Sequence, residues 1–274
     1  MASKALIAGI IILIIAVGAA AYYFMSKGGG EGYSPTTTSS ETTSTTTTTQ
    51  KKVLKVGTSP DFPPFEYIAE NGSIVGFDID LVKHLAKMIG YDDIEIVSID
   101  FDGLIPALQQ GQIDVIAAGM TITPERAQQV DFTIPYWQAD QAILVKKDSS
   151  VKPASAEELE GLTVGVQQGT TAQSYLEELV NNGTNINIKV YTSYVLAVQD
   201  LVNGRIDAVV VDKPVAQTFE KTYPVVISGV IETGEKYGLA VQKGNTELLN
   251  ALNNALQQFM NSPEWDQLIQ KYFG

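Results

Sequence analysis

The sequence predicts an α/β fold of two similar lobes on open, mostly parallel sheets, and three observations carry that expectation. From residue 51 onward, short β-branched runs alternate with segments of helical period, the pattern of parallel sheets with helices packed on them. The runs read as strands of mostly buried sheets. One junction also occurs twice: Leu108-Gln109-Gln110-Gly111-Gln112-Ile113-Asp114-Val115-Ile116 returns as Leu201-Val202-Asn203-Gly204-Arg205-Ile206-Asp207-Ala208-Val209. In each copy a helix ends at glycine and the chain enters a strand through Ile-Asp.

Taken in order, strands are expected at Val53–Gly57, Ile94–Val97, Ile113–Ala117, Ala142–Val145, Leu162–Val166, Ile186–Tyr191, Ala208–Val211 and Gly238–Val241. Helical period places helices at Asp78–Ile89, Gly103–Gln110, Pro124–Val130, Thr171–Asn181, Ser193–Asn203, Lys213–Lys221, Thr246–Met260 and Pro263–Lys271. The first lobe is expected to take about 51–142 plus 238–274, and the second about 143–237. Two crossover strands, near Ala142–Val145 and near Gly238–Val241, would join them.

Two segments precede this domain. Residues 1–27 contain the uncharged stretch Ala5 to Met25, rich in Ile, Leu, Ala and Val, with Lys4 before it and Lys27 after it. About 20 apolar residues match a bilayer core, and Tyr22, Tyr23 and Phe24 suit its interface. No amphipathic period argues for a soluble helix instead. The segment is expected to be a membrane anchor or a signal; Ala19-Ala20-Ala21 offers a small-residue cleavage site, and Lys4-Ala5-Leu6-Ile7 is similar to prepilin-type signals. Residues 28–50 read as a solvated linker: after Gly28-Gly29-Gly30, every residue from Thr36 to Thr49 except Glu41 is Ser or Thr. Asn71-Gly72-Ser73 and Asn182-Gly183-Thr184 are glycosylation sequons consistent with export.

Composition removes several chemistries. With no cysteine there is no disulfide, thiol nucleophile or Cys-based metal site. The single histidine, His84, reads as an ordinary surface or boundary residue, because metal and catalytic motifs recruit further partners. A net charge of −13, from 31 acids against 18 bases, argues against nucleic-acid binding. No cofactor is implied, and the soluble domain is expected to be monomeric.

In open α/β sheets, ligands sit beyond the carboxyl ends of strands. There the sequence places Gly119, Thr121 and Arg126, with Thr123 able to cap a helix that begins at Pro124. Gly119 allows close backbone approach, and the Arg126 fork suits a carboxylate; a surface pair with Glu125 is the plainer alternative. From the other lobe come Gln167, Thr170 and Thr171 at a helix start, and Asp212 at a strand end. Asp212 suits an ammonium, or it caps the helix entering at Pro214. A cationic grip and an anionic grip on opposite lobes match a zwitterion. Ser59, Asp61, Phe62 and Phe101 would line the side-chain end, with core packing a rival role for Phe101 and the favoured one for Phe65.

Residues 51–274 resemble the polar-amino-acid solute-binding proteins of ABC importers, family 3. The resemblance is carried by Pro64-Phe65-Glu66, Gly76-Phe77-Asp78-Ile79-Asp80-Leu81, Leu104-Ile105-Pro106-Ala107-Leu108, Thr121-Ile122-Thr123-Pro124-Glu125-Arg126, Phe132-Thr133-Ile134-Pro135-Tyr136, Gly165-Val166-Gln167-Gln168-Gly169-Thr170-Thr171 and Gly204-Arg205-Ile206-Asp207-Ala208. It implies a type II periplasmic-binding-protein fold, with two lobes closing on a free amino acid. It further implies that Arg126, Thr121 and the Thr170 and Thr171 backbone hold the α-carboxylate. Gly119 and Asp212 would receive the ammonium, and Phe62 and Phe101 would flank the side chain. Asp78 in the family signature is expected to cap a helix.

This chain has Gln167 where glutamine binders resemble one another in carrying lysine, and Ser59 where several basic-residue and glutamine binders carry aspartate. Asp61 lies two residues on. An acid beside aromatics favours arginine, lysine or glutamine as ligand. The implied partners are such an amino acid and the permease of an ABC importer, with membrane attachment through the N-terminal segment. The resemblance implies no catalysis. A cyclohexadienyl or arogenate dehydratase on the same fold is the alternative, although Asp212 stands where those enzymes place a glutamate acid and no obvious proton donor lies nearby in sequence. A sensor input domain is a third class, expected only if a partner chain signals.

Overall fold

The computed structural model describes residues 51–274, so the expected membrane segment 1–27 and linker 28–50 lie outside the described residues. Among the described residues no helix is long and apolar enough to cross a membrane. Strand β1 (Val53–Thr58) is followed by three short strands, β2 (Asp61–Phe62), β3 (Glu66–Ile68) and β4 (Ile74–Val75). Helix α1 (Phe77–Met88) leads to β5 (Asp93–Ser98), α2 (Leu104–Gln109) to β6 (Val115–Ile116), and α3 (Pro124–Gln129) to β7 (Val130–Phe132). Then come β8 (Trp137–Lys146), β9 (Thr163–Gln167), α4 (Thr171–Asn181), β10 (Asn187–Tyr191), α5 (Tyr194–Val202), β11 (Ala208–Asp212) and α6 (Lys213–Thr222). Strands β12 (Val225–Tyr237) and β13 (Ala240–Gln242) precede α7 (Thr246–Met260) and α8 (Pro263–Phe273).

Two five-stranded sheets result, in the orders β5-β1-β6-β13-β7 and β10-β9-β11-β8-β12. Each has a parallel trio, β5-β1-β6 and β10-β9-β11, flanked by antiparallel partners. Strands β8 and β12 pair antiparallel with each other and carry the chain between the sheets. This is the two-lobed α/β architecture that the alternating pattern predicts. Helices α7 and α8 pack on α1 in the first lobe. Their contact faces bury Leu81 and Leu85 against Leu252, Leu256 and Phe259, each worth roughly 1.5–3 kcal/mol relative to exposure.

The repeated junction is a repeated structure. Asp114 accepts from the Lys55 amide at 2.8 Å and donates its own amide to the Lys55 carbonyl at 2.8 Å. Asp207 does the same with Thr163, at 2.8 and 2.9 Å. Each Ile-Asp pair thereby ties an incoming strand to the start of its parallel neighbour. Gly111 and Gly204 precede them at the same φ of 69°, left-handed backbone that glycine adopts without a Cβ clash.

Three expectations need correction. Val130 opens β7 rather than ending α3: it is fully buried and pairs with Gln242, so ladder bonding outweighs one more helical residue. The second crossover is β12, not Gly238–Val241; the nearby β13 belongs to the first sheet. Strand β12 hides in sequence because Gly229, Gly234 and three charges interrupt it, and its ladder is irregular at Ile227/Gly229 and Ile231/Glu235. Finally, Asp78 does not cap α1. Gly76 occupies the cap position, and the Asp78 carboxylate turns inward.

Candidate functional site

The carboxyl ends of β1, β6, β9 and β11 converge on a small, partly enclosed cavity with residues from both lobes in its wall. All eleven residues singled out from the sequence, from Ser59 to Asp212, line it.

Helix α3 brings in Arg126. Thr123 caps this helix by accepting from the Arg126 amide at 3.2 Å, and Pro124 starts it. The side chain turns away from exposed Glu125 and is only 9% exposed. Its guanidinium donates to the Thr121 carbonyl at 2.7 Å and, across the cleft, to the Gly169 carbonyl at 3.0 Å. Its carbon lies 5.3 Å from the Phe101 ring centre, a cation–π distance. Among the described residues no carboxylate oxygen lies within 4.0 Å of its nitrogens. Burial lowers its pKa, and Glu235 and Asp212 oppose that shift. A buried guanidinium facing carbonyls and an aromatic ring retains capacity for an anion.

Asp212 enters from the second lobe, 6% exposed. It makes no capping bond to α6. Instead it accepts from the Tyr237 hydroxyl at 2.7 Å and from the Gln141 side-chain amide. Burial, then the charge of Glu235, pushes its carboxyl up to about 8. Its protonated form is thereby favoured near neutrality, which its sequence neighbourhood did not reveal.

Thr121 and Thr171, one from each lobe, donate their hydroxyls to the same Glu235 oxygen, at 2.6 and 2.8 Å. Glu235 sits on crossover strand β12, and its other oxygen accepts from Gln141 at 2.9 Å. With their protons committed there, both hydroxyls present lone pairs rather than protons to a further partner. Thr170 donates to the Gln167 carbonyl at 2.7 Å and caps α4 by accepting from the Gln173 amide.

Two aromatic rings complete the wall, Phe62, 7% exposed, and Phe101, partly exposed. Phe62 packs at 5.9 Å from Phe65 and 5.8 Å from Tyr194, while Phe65 is fully buried core as its sequence context indicates. Ser59 donates to Asp61 at 3.1 Å. Asp61 also accepts from Gln167 at 2.9 Å and from the Tyr194 amide at 2.9 Å. Both of those donors belong to the second lobe, so the Asp61 carboxylate serves as an interlobe clasp. A different acid faces the cavity without a hydrogen-bond partner among the described residues: Glu66, 0% exposed, on β3. In sequence it is a carboxylate at the close of an otherwise apolar Pro-Pro-Phe loop and part of the Pro64-Phe65-Glu66 motif, neither of which marks it as a cavity group.

Gly119 is held from behind. Its amide donates to Asp78 at 2.8 Å, and Tyr136 donates to the same oxygen at 2.6 Å. Burial pushes the Asp78 carboxyl up to about 7. Gly119 lies at φ 51°, and a Cβ there would come within 2.7 Å of the Phe62 ring. Gly119→Ala is therefore expected to destabilise by at least about 1–2 kcal/mol from the left-handed backbone alone. It should also displace Phe62, so ligand-induced stabilisation in a thermal melt should shrink along with the melting temperature. His84 takes no part; it is exposed and stacks on Phe259 with ring centres 4.1 Å apart.

Two open sheets, two crossover strands and an enclosed polar cavity between the lobes define a type II ligand-binding receptor fold. The sequence profile of the bacterial extracellular solute-binding proteins, family 3, matches residues 54–274, and the chain belongs to that family. The arginine-binding extracellular protein ArtP of Bacillus subtilis is 38% identical over 228 residues, covering 81% of this chain and 87% of that protein. An ancestral arginine-binding protein bound to arginine is 46% identical with a TM-score of 0.78, covering 82% of this chain and 99% of that one. The ancestral amino acid-binding protein AncCDT-1, a precursor of cyclohexadienyl dehydratase, is 43% identical with a TM-score of 0.75, covering 81% and 96%.

Proposed function

We propose that this protein is an extracytoplasmic receptor that binds a free polar amino acid, with arginine, lysine or glutamine favoured, and delivers it to an ABC importer. The observation that carries the reading is that Arg126 from one lobe and Asp212 from the other line a single cavity. The ligand carboxylate meets Arg126 and the backbone of Thr121 and α4; the ammonium meets Asp212, the Gly119 carbonyl and the Thr121 hydroxyl oxygen. Phe62 and Phe101 flank the side chain, whose polar end reaches Glu66. The ligand binds the first lobe, and the hinge formed by β8 and β12 then brings up the second. Closure removes water and strengthens both charge contacts, and it follows binding because the shut form holds the ligand better. The N-terminal segment attaches the domain to the membrane, and the permease reads the shut shape. Relatives that bind arginine support the ligand class.

The test is a thermal-shift and calorimetric screen of the full chain in detergent micelles against the twenty amino acids. Arginine, lysine or glutamine should raise the melting temperature; no shift and no heat with any amino acid would reject the receptor. A second reading, a dehydratase, draws on one feature: burial inside the cavity pushes the Asp212 carboxyl up to about 8, which favours its protonated form. Incubation with prephenate and arogenate separates the two, and the receptor reading expects no product.

A further inference from the structure

Glu66 is the cavity group with the fewest partners. It is 0% exposed, and neither carboxylate oxygen has a hydrogen-bond partner among the described residues. The titratable groups facing it are Asp78 from α1, Asp61 from the first loop and Asp212 from the end of β11, all acids. Arg126 from α3 shares the cavity but makes its bonds to the Thr121 and Gly169 carbonyls and none to Glu66. The Tyr136 hydroxyl, also near, is committed to Asp78. Burial, then Asp78, Asp61 and Asp212, holds the Glu66 carboxyl well above the usual carboxylate range. Without donors or a counter-charge, a carboxyl in such a place keeps its proton.

Resting on the receptor reading, we propose that Glu66 chooses between cationic and neutral amino acids through its own protonation state. Ionised, it accepts from a guanidinium or ammonium at the end of the ligand side chain. Protonated, it donates to the carbonyl oxygen of a side-chain amide. Binding a cationic ligand breaks the Glu66 O–H bond and releases that proton to solvent, while the ligand's positive charge takes its place beside the carboxylate. Binding an amide leaves the proton on Glu66. The α-ammonium acts on Asp212 equally for both ligands, so the difference between them isolates Glu66. While Glu66 is protonated in the free protein, the preference for arginine over glutamine rises by up to about tenfold per pH unit. It levels off once Glu66 ionises without ligand.

The experiment is calorimetry on the full chain in detergent micelles, with arginine and with glutamine, from about pH 5 to about pH 8. Running each titration in two buffers of different ionisation heat counts the protons released. Arginine should release one proton more than glutamine, a wild-type measurement that needs no variant. In Glu66→Gln that difference should vanish, with arginine weakened by about tenfold or more. Equal proton counts for the two ligands, or a difference that survives Glu66→Gln, overturns this inference and leaves the receptor standing. If neither amino acid binds, the inference falls together with the reading beneath it.

Discussion

Arg126→Ala is expected to weaken amino-acid binding by a hundredfold to several thousandfold, measured by calorimetry on the full chain. Removing one partner of a buried, hydrogen-bonded charge pair typically costs about 3–5 kcal/mol. The structure supplies the conditions for that range. The guanidinium is nine-tenths buried, is fixed by two carbonyls and a ring, and has no protein carboxylate in contact among the described residues. The ligand carboxylate would be its counter-charge. Alanine also removes the bond to Gly169 that spans the cleft, so part of the loss is a weaker closure. Arg126→Lys should recover only a fraction, since an ammonium cannot reproduce a fork that reaches both carbonyls. Affinity unchanged in Arg126→Ala would displace the carboxylate from this end of the cavity.

Asp212→Asn is expected to abolish ligand-induced stabilisation while making the ligand-free protein more stable at pH 8 than wild type. The native Asp212 carboxyl titrates at about 8 against an ordinary value of 3.8. Between those values the native state holds a proton that the unfolded chain has lost. This contribution to stability is therefore complete below about pH 4 and drains away as pH rises towards 8, by up to about 1.4 kcal/mol per pH unit. Asparagine keeps the shape without the charge: its carbonyl can accept from Gln141 and its amide can donate to the Tyr237 oxygen. The variant's melting temperature should fall less steeply from pH 5 to pH 8, with a residual slope from Asp78, whose carboxyl stands at about 7, and from Glu66, whose carboxyl burial also raises. Melting curves with the same pH slope in both proteins would refute the assignment of a buried proton to Asp212.

What the sequence made legible is local in origin. The Gly-x-Ile-Asp junction states its own geometry, since Asp114 and Asp207 bond to the strand beside them through the same pair of bonds. Strand ends followed by Gly, Thr, Arg or Asp located Arg126 and Asp212 because open α/β sheets present their loops at one edge. What stayed hidden depends on distant partners. Glu235 matters because Thr121, 114 residues earlier, and Thr171, 64 residues earlier, both donate to it. Within its own Gly-rich stretch it reads as a surface charge. Asp78 looked like a helix cap because an acid in a first turn usually stabilises the helix end. Its bond to Gly119 crosses 41 residues and could be found only in the folded chain. Glu66 was visible as part of a family motif, but its burial without donors is a property of the assembled cavity.

The Asp61 clasp on Gln167 and Tyr194 has a consequence for signalling. Those two bonds consist of protein atoms alone, so they favour the shut arrangement by the same amount whichever solute lies inside. Such a bias lowers the work a solute must do to close the receptor, raising apparent affinity for good and poor solutes together. Discrimination then rests on the cavity wall, and a transporter that sensed outline alone would admit impostors with the cargo.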